Sequence, residues 1–559
     1  MRGIGDRLSG LKGLGKRLWR ARDGGVAMMF ALAMPPMTMM AVCGLDIHRA
    51  SSVRQSLQDA LDAATLAAAR SGETTDAGVR TVGMRVLRAN LAQFPYVTLI
   101  EATNSTNFDL NDDGSVLSYA RVSVDTLVAG AFLGDELDVN VDSLVNRSTS
   151  LRLEVALVID NTGSMDSGGK LEAAQDAAID LVEALEDAAE NSTLDDPVRI
   201  SVVPFSQTVR ISQGFGSQNN RTSATAAGYL SRSTAHTGST GATGLFSSGV
   251  DRFQLLDTLR IGWGGCVESR PYPYDVQDTA PSSTNQSTMF VPYFSPDTPD
   301  QNTFPNDNGW RNYARYNDYL DESTDSLSGL VNNLNGQINN GVQLQAWERL
   351  LKDPTKYTRS RLNGARIGAN DYGPNQGCAL EPLVRLTDDF DAVIDSIDDM
   401  VATGNTNVPM GLMWGWHTLS PRAPFADGTA YGTEDVQKIV VLLTDGDNVN
   451  STAYNPDNST YSGVGLIWQG RLGSDMDVAS SAQRRADRMD ERLLELCENM
   501  RDESIVLYTV GVQVSTNSQR LLRDCAGSDD QFFNVTSANG IAAAFDQIVG
   551  RINNLRIVR

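Results

Sequence analysis

Histidine and positive charge are what this sequence has least of. Its 559 residues hold three histidines, His48, His236 and His417, far apart and without an H-E-x-x-H. The five cysteines form no C-x-x-C, so neither common zinc pattern is present and a zinc enzyme is excluded. Lys and Arg number 46 against 69 Asp and Glu, a net charge of −23. Such a balance repels phosphate backbones, so no nucleic-acid partner is expected, and divalent cations suit the chain better. At this length two or three folded units are expected.

Charge is missing altogether from Gly24 to Leu45, GGVAMMFALAMPPMTMMAVCGL. At about 1.5 Å per residue this run spans a hydrocarbon core of roughly 30 Å, which predicts a transmembrane helix. Pro35-Pro36 is tolerated there if neighbouring groups satisfy the freed carbonyls. A cleaved signal peptide is the alternative, but the run exceeds the usual apolar length of roughly 7–15 residues and no small-x-small site follows it. Arg2, Arg7, Lys12, Lys16, Arg17, Arg20 and Arg22 precede the span and hold the N-terminus on the cytoplasmic side, with everything after Leu45 exported. Cys43 then sits in the membrane, and Cys266, Cys378, Cys497 and Cys525 lie in an oxidising space. Three connectivities are open to four cysteines; pairing within each predicted unit gives Cys266–Cys378 and Cys497–Cys525.

Periodicity divides the exported part. From Asp46 to Arg70, Val53, Leu57, Leu61, Ala64 and Ala68 fall at helical spacing, so the anchor is expected to continue as a stalk. A second helix is predicted near Thr81–Ala92, then strands at Tyr96–Ala102, Val116–Val124 and Leu137–Val145, a small α+β unit. The turn Asp109-Leu-Asn-Asp-Asp113-Gly114 matches half of an EF-hand loop, but Ala120 stands where the bidentate Glu would be, so a hairpin turn is the better reading. From Leu151 apolar strands alternate with amphipathic helices: LRLEVALVID, a helix through Leu171–Leu185, and VRISVVPFS. The pattern returns with a helix near Asp388–Val401, KIVVLLTD, a helix over about Ser480–Arg501, SIVLYTVGV, a short helix, QFFNV and a final helix through Ile541–Ile552. Runs of this kind predict an α/β domain with a doubly wound, mostly parallel, Rossmann-like sheet. The segment between, rich in Ser, Thr, Gly, Asn, Asp and aromatics, reads as an insertion of loops and short strands. The expected organisation is a basic tail (1–23), the span (24–45), a stalk and small α+β region (46–150), the α/β domain in two parts (151–212 and 383–559), and the insertion (213–382).

Chemistry concentrates where the first α/β strand ends, in Asp160-Asn-Thr162-Gly-Ser164. One carboxylate and two hydroxyls from one turn offer oxygen ligands only, which suits a hard cation such as Mg²⁺ and leaves a position open. Helix capping by the same residues is the bland alternative. The order D-x-T-x-S resembles the metal-ion-dependent adhesion site of von Willebrand factor A domains, whose second and third loops are matched by Thr406 in TGNTNVPMGL and Asp445 in LLTDGDN. The resemblance implies Mg²⁺ or Mn²⁺ held by Ser164, Thr162 or Thr406 and waters, with Asp160 and Asp445 acting directly or through water. Asp166 and Asp447 lie close by in sequence. It further implies a protein partner presenting an acidic side chain, and no catalytic residues. A competing resemblance, to the D-K-T-G-T loop of aspartyl-phosphate enzymes, fails at Asn161 and lacks a nucleotide motif.

GGVAMMFALAMPPM with LDIHRASSVRQSLQDALDAATLAAA is similar to the start of TadE/TadG-like pilus-assembly proteins. GNTNVPMGLMWGWHTLSP, CAGSDDQFFNV and AFDQIVGRINNLRIVR, and within the insertion GCVESRP and GPNQGC, resemble the TadG-like members of the tight-adherence (Flp) pilus system that carry a von Willebrand A domain. Where pseudopilins of that system have Glu five residues after the cleaved Gly, Phe30 stands at that spacing from Gly25, so no cleavage is expected. The resemblance implies a single-pass protein of the bacterial inner membrane, mostly periplasmic, in pilus assembly or adhesion. A general adhesin or scaffold unrelated to pili is the alternative.

Overall fold

The computed structural model describes residues 25–555 apart from 72, 74, 95, 112–114, 127–135, 146–150, 191, 193, 215–227, 232–243, 247–249, 300–315, 322–349, 368–371 and 454–456. The basic tail and the centre of the Asp109–Gly114 turn therefore lie outside the described residues. The chain forms two compact units, one of residues 1–149 with 557–559 and one of residues 150–556.

In the smaller unit a 45-residue helix, α1 (Gly25–Ala69), runs through the apolar segment and the stalk without a break. Val53, Leu57, Leu61, Ala64 and Ala68 form its buried stripe, the helical period read from the sequence. Leu32, Met34, Met37, Met40, Leu45 and Ile47 on the same helix are exposed. Among the described residues no helix is long and apolar enough to cross a membrane; side chains at 25–30, 35, 39 and 41–43, within the expected span, are not described. Helix α2 (Asp76–Leu91) starts a turn earlier than predicted, because the Thr75 side chain accepts from Gly78 N and caps it. Strands β1 (Val97–Leu99), β2 (Asn107–Leu110), β3 (Val116–Asp125) and β4 (Glu136–Val145) form an antiparallel sheet with β3 at its centre. β2 and β3 make a hairpin, Asn111 N donating to Ser115 O at 2.8 Å. The Phe108 ring lies where a Cβ on Gly83 would be, 2.5 Å from its nearest ring carbon, so that glycine brings α2 onto the sheet.

The larger unit is mixed α/β with a parallel-rich sheet. Its parallel core runs β13 (Phe532–Val535), β12 (Val506–Val512), β11 (Val436–Thr444), β5 (Arg152–Asp160) and β6 (Val198–Phe205). On one face Leu153, Val155, Leu157 and Ile159 of β5 pack with α3 (Lys170–Glu190), α5 (Phe390–Asp398) and α9 (Ile541–Leu555). On the other, Ala156 and Val158 pack with α6 (Val408–Leu419), α7 (Ala482–Asp502) and α8 (Thr516–Ala526). Burial on both faces is why these strands read as apolar runs without alternation.

Residues of the expected insertion (β8 and β9) and those just flanking it (β7 and β10) extend this sheet. β7 (Val209–Arg210), β8 (Cys266–Glu268) and β9 (Val291–Pro292) add antiparallel beyond β6, and β10 (Val384–Thr387) pairs antiparallel with β6. With α4 (Arg252–Leu259) they carry an aromatic core of Phe253, Trp263, Phe290, Phe294 and Tyr357 against Trp414 of α6. Glu268, fully buried, is ion-paired with Arg252 and Arg471, so the desolvated carboxylate has its counter-charges in place. Four cysteines are joined as Cys266–Cys378 and Cys497–Cys525.

Candidate metal centre

β5 lies between β6, the next strand in the chain, on one side and β11 on the other. That reversal of order makes the carboxyl ends of β5 and β11 a topological switch point, where open α/β sheets place their ligands. Asp160 ends β5, and Asp445 follows Thr444 at the end of β11.

The five residues singled out by sequence are linked there by short contacts. Thr162 and Ser164 hydroxyls are 3.0 Å apart, Ser164 Oγ donates to Asp445 Oδ1 at 2.6 Å, and Thr406 Oγ1 donates to Thr162 Oγ1 at 3.4 Å. Asp160 is fully buried and both its oxygens are engaged: Oδ1 accepts from Thr162 N at 2.9 Å and Oδ2 from the Thr444 hydroxyl at 2.6 Å. Burial, together with the neighbouring Asp445 charge, pushes its pKa up to about 6. Backbone bonds tie the second loop to the first, Gly163 N to Gly404 O and Thr403 N to Asn161 O. Gly404 has a left-handed φ of +74°, and a Cβ there would come within 3.0 Å of Ser206 Oγ. Ser164 is exposed while Asp160, Thr162, Thr406 and Asp445 are buried, so the cluster opens to solvent at Ser164.

Lys170, the first residue of α3, was not singled out by sequence. Its ammonium is ion-paired with Asp445 Oδ2, both side chains buried. A lysine in the first turn opposes the helix dipole, and that misfit was the available signal. Asp447, adjacent in sequence, instead accepts from Ser515 and Ser518 at the start of α8, and Asp166 is exposed. Among the described residues no group of three or more His, Cys, Asp and Glu side chains is placed to hold a metal; the donors here are two carboxylates and three hydroxyls. All are oxygens, as a hard cation requires. The donor set fits Mg²⁺ or Mn²⁺, with Lys170 as a competing positive charge.

Residues 24–71 match the family model described as putative Flp pilus-assembly TadE/G-like. The N-terminal segment is TadE/G-like. That family is one of pilus assembly, which points to the cell envelope. No curated protein matches the chain. Similar solved structures include the pilus adhesin SpaC of Lactobacillus rhamnosus GG, 10% identical with a TM-score of 0.30 over 82% of this chain and 34% of that one. The vWF domain of the type V pili tip protein Mfa5 of Porphyromonas gingivalis is 11% identical with a TM-score of 0.30 over 73% and 97%. The pilus adhesin RrgA of Streptococcus pneumoniae is 10% identical, also at 0.30, over 82% and 50%. The chain spans about a third of the length of SpaC. Similarity this low carries no weight for function.

Proposed function

We propose that this protein is a non-enzymatic, membrane-anchored component of Flp pilus assembly or adhesion. Its larger unit is a von Willebrand A domain that binds Mg²⁺ or Mn²⁺ and, through the ion, an acidic side chain of a protein partner. One observation carries the reading: three loops far apart in sequence bring Thr162, Ser164, Thr406 and Asp445 together at the switch point of a parallel-rich sheet. Ser164, Thr406 or Thr162, and Asp445 would hold the ion. Asp160, with both oxygens engaged, orients the first loop and acts through water. When bound, the cation supplies an open coordination position for a carboxylate.

Anchoring in the inner membrane is supported by the uncharged run Gly24–Leu45 and the exposed apolar residues of α1. An aspartyl-phosphate enzyme is disfavoured because Asp160, the residue that would attack, is fully buried with both oxygens hydrogen-bonded.

The test is isothermal titration of Mg²⁺ and Mn²⁺ into the full chain in detergent, beside Asp160→Ala/Asp445→Ala and the milder Ser164→Ala/Thr406→Ala. One-site uptake, lost in the first variant and weakened in the second without loss of thermal stability, supports the reading. Equal uptake in all three proteins removes the metal from it and leaves an anchored scaffold.

A further inference from the structure

Next to the candidate metal centre, α7, α8 and the loop after β11 enclose a cleft of about 530 Å³. Four carboxylates line it, Asp447, Asp487, Asp490 and Asp524, against a single cation, Arg520. Arg520 donates to Asn517 Oδ1 at 2.7 Å, and none of the four carboxylates is ion-paired among the described residues. Asp490 receives one hydrogen bond, from Asn448 Nδ2 at 2.8 Å; burial, with Asp447, Asp487 and Glu491 nearby, raises it to about 6.

Two further observations point to an occupant. Asn450, which lines the cleft, is 6% exposed, and its Oδ1 has no hydrogen-bond partner among the described residues. A buried acceptor left unmatched costs free energy, and a donor from outside removes that cost. In addition, Val449 and Leu494 in this cleft are two of the three large hydrophobic side chains exposed on the described part of the larger unit, the third being Val401. The cleft thus offers acceptors and negative charge around an apolar floor.

We infer that this cleft docks a cationic, amphipathic segment of a protein partner, with Lys or Arg side chains facing Asp447, Asp487, Asp490 and Asp524 and an apolar side resting on Val449 and Leu494. An anionic or purely polar segment would leave the carboxylates unpaired and the apolar floor exposed to water. The contact requires no metal, so it stands or falls independently of the ion-mediated one.

The test uses the full chain in detergent with EDTA present and a fluorescein-labelled amphipathic Lys/Leu peptide as probe, read by fluorescence anisotropy. Asp487→Asn/Asp524→Asn, both exposed, is expected to weaken binding by about tenfold and to flatten its salt dependence. Leu494→Ala is expected to weaken it with the salt dependence unchanged. Asp176→Asn/Asp180→Asn, an equal loss of charge on the exposed face of α3, is expected to leave the affinity within about twofold. Equal weakening by the two double variants would show attraction to net charge and overturn the docking site. So would failure of the peptide to bind the wild type, or indifference to Leu494→Ala.

Discussion

Lys170 and Asp445 form a pair that neither residue can leave cheaply. Breaking a buried ion pair by removing one partner strands the other charge and costs roughly 3–5 kcal/mol. Lys170→Met is therefore expected to lower the melting temperature of the full chain in EDTA. Mg²⁺, by supplying the missing positive charge, is expected to restore more stability to the variant than it adds to the wild type. An unchanged melting temperature in EDTA would remove Lys170 from this role. His417 poses a similar question of charge. It is fully buried in α6, its Nδ1 3.4 Å from Asp278 Oδ1 and its Nε2 3.4 Å from Arg270. Burial above all, with Arg270 adding to it, lowers its pKa from 6.5 to about 4. The unfolded chain therefore takes up a proton that the folded chain refuses. The stability this supplies is complete above pH 6.5 and is lost as the pH falls through about 4, worth at most about 3 kcal/mol. The melting-temperature advantage of wild type over His417→Gln is expected to shrink between pH 7 and pH 4.5; a constant difference would show that the imidazole titrates normally.

Helix α6 shows why some elements could be read from the sequence and others could not. β5, β6, β11 and β12 announce themselves as apolar runs bounded by turns, and α3 and α7 as amphipathic stretches. The sequence VPMGLMWGWHTL of α6 gives no such signal, because every residue from Met410 to Leu419 is buried and no polar face marks a period. β7 and β9, at two residues each, are too short to show alternation, and the four-residue β2 runs into the stretch that reads as a turn. The order of the three site loops was legible because each follows or precedes a legible element. Lys170 was not, since its partner is 275 residues away. The packing of α6 rests on two glycines: a Cβ on Gly411 would stand 2.4 Å from Phe205 Cγ, and one on Gly415 2.4 Å from Val158 Cγ2. Gly415→Ala is expected to destabilise the fold by about 1–3 kcal/mol through overpacking and, by shifting the helix that follows Thr406, to weaken cation uptake. Gly550→Ala in α9, where a Cβ meets nothing within 4 Å, is expected to do the reverse and stabilise by about 0.5–1 kcal/mol. Thermal unfolding of the two variants side by side checks both signs.

At the scale of the larger unit, a long segment has to be held against the sheet with only short elements among its described residues, such as the eight-residue α4 and strands of two or three residues. Three short strands, a buried aromatic cluster and the Glu268 ion pairs contribute, and Cys266–Cys378 closes a separation of 112 residues against 28 for Cys497–Cys525. Loop-closure entropy makes the longer bridge the more stabilising, by about 1 kcal/mol, within a total of roughly 2–5 kcal/mol for either. The two bridges also act on different parts of the unit. Cys266 is in β8, inside the antiparallel extension of the sheet, whereas Cys497 and Cys525 join α7 to α8 beside the acidic cleft. Cys266→Ser/Cys378→Ser is thus expected to lower the melting temperature more and to open proteolytic sites within residues 213–382 while leaving Lys/Leu peptide binding intact. Cys497→Ser/Cys525→Ser is expected to leave that segment protected and to weaken the peptide, because the helices that carry Asp487 and Asp524 are no longer tied together. Mapping the first cleavage sites by mass spectrometry in both variants separates these outcomes. First cuts at the same positions in both would mean that the segment and the helical face unfold as one cooperative body, and that neither bridge has a local role.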